Sequence, residues 1–211
     1  MDIKILTDNP GSWIMPYVEK LKVLLSDYKV SHIYSTEDMQ PGDVMFILSC
    51  EKIIGSEALR KHKHNVVIHP SDLPEGRGWS PLAWQVVEGR KIIVFTAFEA
   101  TEKVDAGDVY IKDTLILRGD ELNEEIKHLQ GMMTIKIVMD FLIKHPKAIP
   151  QHPGGTYYKK RTREHSRLDA SKTIADQFDL LRVVDNERYP AYFEHKDKTY
   201  ILSIYESLPD R

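Results

Sequence analysis

Two residues in this sequence have types and settings suited to moving a proton or holding a developing charge. His69 ends the apolar run Val66-Val67-Ile68 and opens "HPSDLPEGRGWSPL", where Pro70, Pro74 and Pro81 stiffen the chain and Gly76 and Gly78 permit backbone geometry that other residues resist. Asp105 follows in "KVDAGDV", between two apolar segments. A carboxylate beside an imidazole fixes its tautomer and takes part in proton transfer. Without that partnership His69 merely caps a strand and "DAGD" is only a turn, since Asp and Gly are common turn formers. Spacing alone leaves both readings open.

Other chemistry-bearing residues carry weaker signals. His62 and His64, in "RKHKH", lack the carboxylate or cysteine partners of a zinc site and read as a solvated helix end. No metal is expected. Cys50 follows a buried strand and reads as a small hydrophobe rather than a nucleophile. The "GRG" of Gly76 and Gly78 is not a dinucleotide fingerprint, because no G-x-G-x-x-G follows the first strand, and there is no Walker loop.

These residues must be positioned by a layered α/β fold. Ile3–Leu6 reads as a strand closed by Asn9-Pro10-Gly11. From Ser12, an N-cap, Trp13, Tyr17, Leu21, Leu24 and Tyr28 recur at helical spacing, with Pro16 in the first turn where a missing N–H costs little. Strands are predicted over 29–34, 44–49 and 65–68, with a short helix over 56–63. The continuous apolarity of "VMFILS" is that of a strand buried on both faces, as in parallel sheets. Two more strands, 92–98 and 109–117, precede a long helix marked by Leu122, Ile126, Leu129, Met133, Ile137 and Phe141, which His145-Pro146 stops. In open α/β sheets ligands sit beyond the carboxyl ends of strands, which is where His69 falls. "KAIPQHPGGTYY" marks a boundary, giving a catalytic unit over 1–150 and an extension over 151–211 with a helix over 171–184 and a hairpin over 192–205. An extension this small either packs on the main unit or buries its apolar face across a homodimer.

The totals set limits. A chain of 211 residues, 42% hydrophobic, buries a real core, and its net charge of -3 argues against a broad nucleic-acid footprint. One cysteine excludes an intramolecular disulfide and suits a reducing cytosol, while the N-terminus is too weakly apolar for a signal peptide and no run is long enough to span a membrane. The expected location is cytoplasmic.

The segments "HPSDLPEGRGWSPLAWQVVEG" and "EKVDAGDVY" resemble the N10-formyltetrahydrofolate-dependent formyltransferase family over most of residues 1–144, and "TYYKKRTREHSRLDASKT" looks like the segment that follows the catalytic unit there. The resemblance implies a Rossmann-like mixed sheet flanked by helices. It implies formyl transfer from the folate to an amine, with His69 stabilising negative charge on oxygen or moving protons and Asp105 orienting it and helping to deprotonate the amine. Folate would lie along Ser49, Ile53 and Ile54 and against the loop carrying Val104, Gly107 and Asp108. One departure stands out: the family usually has Asn two residues before the histidine, and here Val67 occupies that place. Asn65, four residues back, is roughly 13 Å away at about 3.3 Å per residue. Ser49, a backbone N–H or water would have to supply that donor, or the rate suffers. The stretches "GRGWSPLAWQVVEG" and "DNERYPAYFEHKDKTYILSIYES" look most like short sugar N-formyltransferases of pseudaminic-acid biosynthesis, which implies a UDP-linked 4-amino-4,6-dideoxy sugar as acceptor. Arg77, Trp79, Tyr157 and Tyr158 would then contact the sugar nucleotide, and Lys159, Lys160 and Arg161 its diphosphate. The alternatives are a formyltransferase for another amine, or a folate- or nucleotide-sugar-binding protein that has lost catalysis.

Overall fold

The computed structural model describes residues 1–37 and 39–207. In chain order its elements are β1 (Asp2–Leu6), α1 (Met15–Leu24), β2 (Lys29–Ile33), β3 (Gly42–Ile47), α2 (Ser56–Leu59), β4 (His62–His69), β5 (Arg77–Gly78), α3 (Pro81–Val87), β6 (Ile92–Glu99), β7 (Val109–Ile116), α4 (Asn123–Lys144), β8 (Tyr157–Tyr158), α5 (Phe178–Leu181), β9 (Ala191–His195) and β10 (Lys198–Leu202). Six strands form one mixed sheet of order β2-β1-β3-β4-β6-β7. The first four are mutually parallel, while β6 and β7 run antiparallel to their neighbours. This is the α/β sheet expected from the apolar runs.

The parallel half is covered on both faces, which explains the unbroken apolarity of β3. Successive side chains on a strand point to opposite faces. Val44, Phe46 and Leu48 enter the larger core with α1 and α4, while Met45 and Ile47 enter a smaller one with Leu6, Met39, Ile54 and Leu59. On β4 the same alternation sends Val66 and Ile68 to the larger core and Val67 to the smaller. By parity Asn65 and His69 share the face of Val67.

Two local predictions need correction. The helix expected over 56–63 ends at Leu59, and β4 begins at His62. Of the Lys-His-Lys-His run, His62, Lys63 and His64 belong to the strand: His62 is buried opposite Gly42 and Lys63 is exposed. The helix expected over 171–184 is one 3-10 turn at Ala175–Gln177 followed by α5. Side chains compete for the backbone there. Asp169 accepts the N–H and hydroxyl of Ser171, and Asp176 accepts those of Thr173. Such local bonds favour turns over helix interior.

The C-terminal segment packs on the sheet-bearing body. Val183 joins the larger core, and the fully buried Arg182 pairs with the equally buried Glu121 at 3.0 Å. The hairpin of β9 and β10 forms its own cluster with Leu168, Leu181 and Val184. No helix among the described residues is long and apolar enough to cross a membrane.

Candidate active site

His69 closes β4 and is nearly buried. Its Nε2 lies 2.9 Å from the Gly76 carbonyl oxygen. A carbonyl only accepts, so Nε2 carries the hydrogen and donates it. The loop between them is braced from below. Thr96 donates its hydroxyl to the Ser71 carbonyl and accepts the Leu73 N–H, and the Gln85 amide holds the Pro70 carbonyl.

Asp105 arrives from the loop that joins β6 to β7. The chain leaves β6 at Glu99, passes through residues 100–107 and returns as β7, and Asp105 sits in that excursion at φ 49°, a left-handed value that Asp tolerates better than most residues. The loop is tightly closed at Gly107. A Cβ there would stand 1.7 Å from the Glu99 carbonyl oxygen, so only glycine fits. Gln151 clamps the excursion by donating its amide to the carbonyls of Asp105 and Gly107, and its own oxygen accepts Arg77 Nη2. Asp105 Oδ2 accepts the Gly78 N–H at 2.7 Å and lies 3.8 Å from His69 Nε2. An N–H donor and a carboxylate oxygen thus meet at one point.

That point lies on a cavity of about 670 Å³ over the carboxyl ends of the parallel strands. On the Val67 face the cavity is apolar, lined by Ile53, Ile54, Val67, Phe98, Ala100 and Val104. Asp8 fixes the approach to this face, because its carboxylate accepts the N–H groups of Glu51 and Lys52. Towards α4 the lining turns polar, with Asn123, Lys127, Gln130 and Arg188.

Of the residues singled out in the sequence, Ser49, Ile53, Ile54, His69, Trp79, Val104, Asp105 and Tyr157 line this cavity. The structure does not bring the others to its wall. Gly107 closes the loop and the exposed Asp108 gives its carbonyl to Glu99 N–H. Arg77 ties β5 to Gln151. Tyr158 stacks on Trp84 and donates to Glu88; burial first, then that carboxylate, pushes its phenol up to about 12. Lys160 lies 4.1 Å from the Trp79 ring centre and pairs with Glu51, and Arg161 donates to the His165 carbonyl beneath Trp84. Sequence reasoning missed Trp13, Asn123, Gln130, Arg188 and Tyr189. The one available signal was the polar series Asn123, Lys127, Gln130 and Thr134, at helical spacing beside the apolar stripe of α4.

Asn65 is committed elsewhere, since its Nδ2 donates to the Leu59 carbonyl and to Glu99. Ser49 stands at the end of β3, two residues beyond the Ile47–Val67 pair and so level with His69 on the neighbouring strand. Its φ is 55°, and with Ser12 donating to its Oγ at 3.2 Å its own hydrogen is free.

Cys50 also touches the cavity, half-buried against the smaller core with its thiol on the Leu6 carbonyl. Burial first, and the nearby Asp8 charge second, push its thiol up to about 12. The thiolate is the reactive form. Alkylation by iodoacetamide at pH 8 is therefore expected to run on the order of 10²-fold slower than for free cysteine, whose pKa is about 8.5, since the loss of thiolate outweighs its greater nucleophilicity; labelling followed by mass spectrometry checks this, and free-cysteine rates would contradict the burial.

The formyl transferase family matches residues 28–132. A methionyl-tRNA formyltransferase from Mycoplasma mycoides is 26% identical over 179 residues, covering 76% of this chain and 56% of that protein. The chain spans about half the length of the curated relatives it matches. Among solved structures, a methionyl-tRNA formyltransferase from Clostridium thermocellum superposes with a TM-score of 0.83 at 24% identity, covering 99% of this chain and 94% of that one. A sugar N-formyltransferase from a Shewanella species gives 0.69 at 15%, covering 100% and 99%. The matched residues contain β4 with His69, the stiff loop after it and the Asp105 excursion, the parts that converge on the cavity; this chain belongs to the formyltransferase family.

Proposed function

We propose that the chain moves a formyl group from N10-formyltetrahydrofolate to the amine of a nucleotide-linked 4-amino-4,6-dideoxy sugar, the UDP-amino sugar of pseudaminic-acid biosynthesis, in the cytoplasm. The observation that carries the transfer is the meeting of His69 Nε2 and Asp105 Oδ2, 3.8 Å apart, on a cavity of about 670 Å³. That volume is within the range of cofactor sites, and the apolar face with a few convergent polar groups is the lining such sites use. Ile53, Ile54 and Val104 fit a flat pteridine, so the residues present suit the folate. Bound there, the folate supplies an electrophilic formyl carbon.

The chain's own groups answer what the reaction demands. Attack by an amine puts negative charge on the formyl oxygen and positive charge on nitrogen, so the site needs a donor and a proton acceptor. His69 carries its hydrogen on Nε2, donated at rest to the Gly76 carbonyl and to be turned to the formyl oxygen in the reaction, and the Asp105 carboxylate, held by the Gly78 N–H, is the proton acceptor. The backbone bonds to Gly76 and Gly78 fix the two groups side by side before substrate arrives, and the His69–Gly76 bond is the one that the reaction must exchange. Ser49 is the side chain placed to supply the second donor that Val67 cannot.

The acidic balance of the chain favours a small acceptor over tRNA. Purified protein given formyl-folate should release tetrahydrofolate only when the UDP-4-amino sugar is added. Release that depends on a different amine would keep the transfer and change the acceptor. Folate binding with no release under any amine would favour the second reading, a binding protein weakened by Val67.

A further inference from the structure

The proposed reading leaves open which residues take the nucleotide, and the structure points away from the Lys159–Arg161 run. Lys160 pairs with Glu51 and Arg161 lies against Trp84, and neither reaches the cavity wall. The polar arm of the cavity lies between α4 and the turn that follows α5.

That turn is built to present its side chains. The buried Arg182–Glu121 pair and Val183 anchor the incoming chain. The Asp185 carboxylate then accepts the N–H groups of Glu187 and Arg188, and its carbonyl accepts that of Tyr189. Arg188 reaches the cavity with a single hydrogen bond, from Nη2 to the Gly11 carbonyl at 3.2 Å, and no carboxylate partner among the described residues. The other cation of this arm, Lys127, is held by Glu124 and Asp185. Across from the turn, the side-chain amides of Asn123 and Gln130 face the cavity with no hydrogen-bond partner among the described residues. Tyr189 lines the same arm and is 55% exposed.

An unpaired guanidinium, two free amides and an open aromatic ring suit a ligand with an anion, a polyhydroxylated body and a flat ring. We propose that this arm binds the nucleoside diphosphate of the acceptor, with Arg188 on phosphate, Asn123 and Gln130 on hydroxyls and Tyr189 stacked on the base. The amino sugar then extends towards His69 and Asp105. This rests on the nucleotide-sugar reading above.

Calorimetric titration of the purified chain with UDP alone tests it. Arg188→Ala is expected to weaken UDP at least 10-fold, Arg188→Lys less, and Tyr189→Ala about 5-fold or more through loss of base–aromatic stacking. Lys160→Ala should stay within twofold of the unaltered chain. Melting midpoints within about 2 °C and unchanged tetrahydrofolate binding would show that the variants fold. Equal UDP affinity in Arg188→Ala and the unaltered chain would overturn the assignment alone, and a 10-fold loss in Lys160→Ala with none in Arg188→Ala would return the phosphate to the earlier candidate. If the unaltered chain binds no UDP, this assignment and the nucleotide part of the proposed function fall together, while formyl transfer to another amine stands.

Discussion

His69→Asn is expected to lower kcat/KM for formyl transfer at least about 10²-fold, with tetrahydrofolate binding kept. General acid–base and oxyanion groups each contribute roughly 10² to 10⁴. Asparagine keeps a donor but cannot carry or release a proton on demand, so the loss reports the proton-handling part of the imidazole. Asp105→Asn separates charge from geometry in the same way. Its side-chain oxygen can still accept the Gly78 N–H, so the loop stays closed, yet the proton acceptor is gone. A loss of at least about 10² is expected there too. Groups that work as a unit are not additive, so the double variant should fall little below the worse single one. Steady-state rates from tetrahydrofolate release, with melting curves as the folding control, decide the matter. Turnover within threefold of the unaltered chain for both single variants would remove this pair from the chemistry.

The strand framework was legible because parallel strands buried on both faces must be apolar throughout, as Val44–Leu48 is. The position of His69 beyond a strand end followed from that framework. Its meeting with Asp105 did not follow from spacing. It depends on the 100–107 excursion folding back over the sheet, and the clamp that holds it, Gln151, lies well downstream. Local pattern fails wherever such long-range bonds decide. Its polarity makes the Lys-His-Lys-His run look like a helix end, but its two-residue period is that of a strand, and His62 to His64 begin β4 opposite Gly42. Residues 171–184 carry helical spacing, but Asp169, Ser171, Thr173 and Asp176 spend their side chains on local turns. Arg188 was invisible for a further reason: nothing near it in sequence shows that Val183 enters the main core and carries the turn to the cavity.

That anchoring leads to the second large effect. Glu121→Gln is expected to destabilise the chain by about 1.5–3 kcal/mol, because it takes the buried carboxylate from Arg182 and leaves that cation only the half-exposed Asp179 at 2.9 Å. Both side chains are 1% exposed, and the pair is 3.0 Å long. For a chain of this size the melting midpoint should fall by roughly 3–10 °C. The pH dependence follows from the same geometry. Burial acts to raise the Glu121 carboxyl, but the N–H groups of Arg118, Gly119 and Glu121, together with Arg182, outweigh it and hold the group at about 2 instead of its ordinary 4.5. A depressed carboxyl stabilises the fold fully above its unfolded value and loses that contribution as pH falls towards the folded one. The unaltered chain should therefore lose stability between about pH 4.5 and 2, and Glu121→Gln should show a shallower decline over that window. Since Arg182 lies three residues before Asp185, loosening it should also weaken UDP more than tetrahydrofolate. Thermal melts from pH 7 to 3 provide the measurement; a midpoint unmoved at pH 7 would mean the pair does not anchor the turn, and the placement of Arg188 would lose its support.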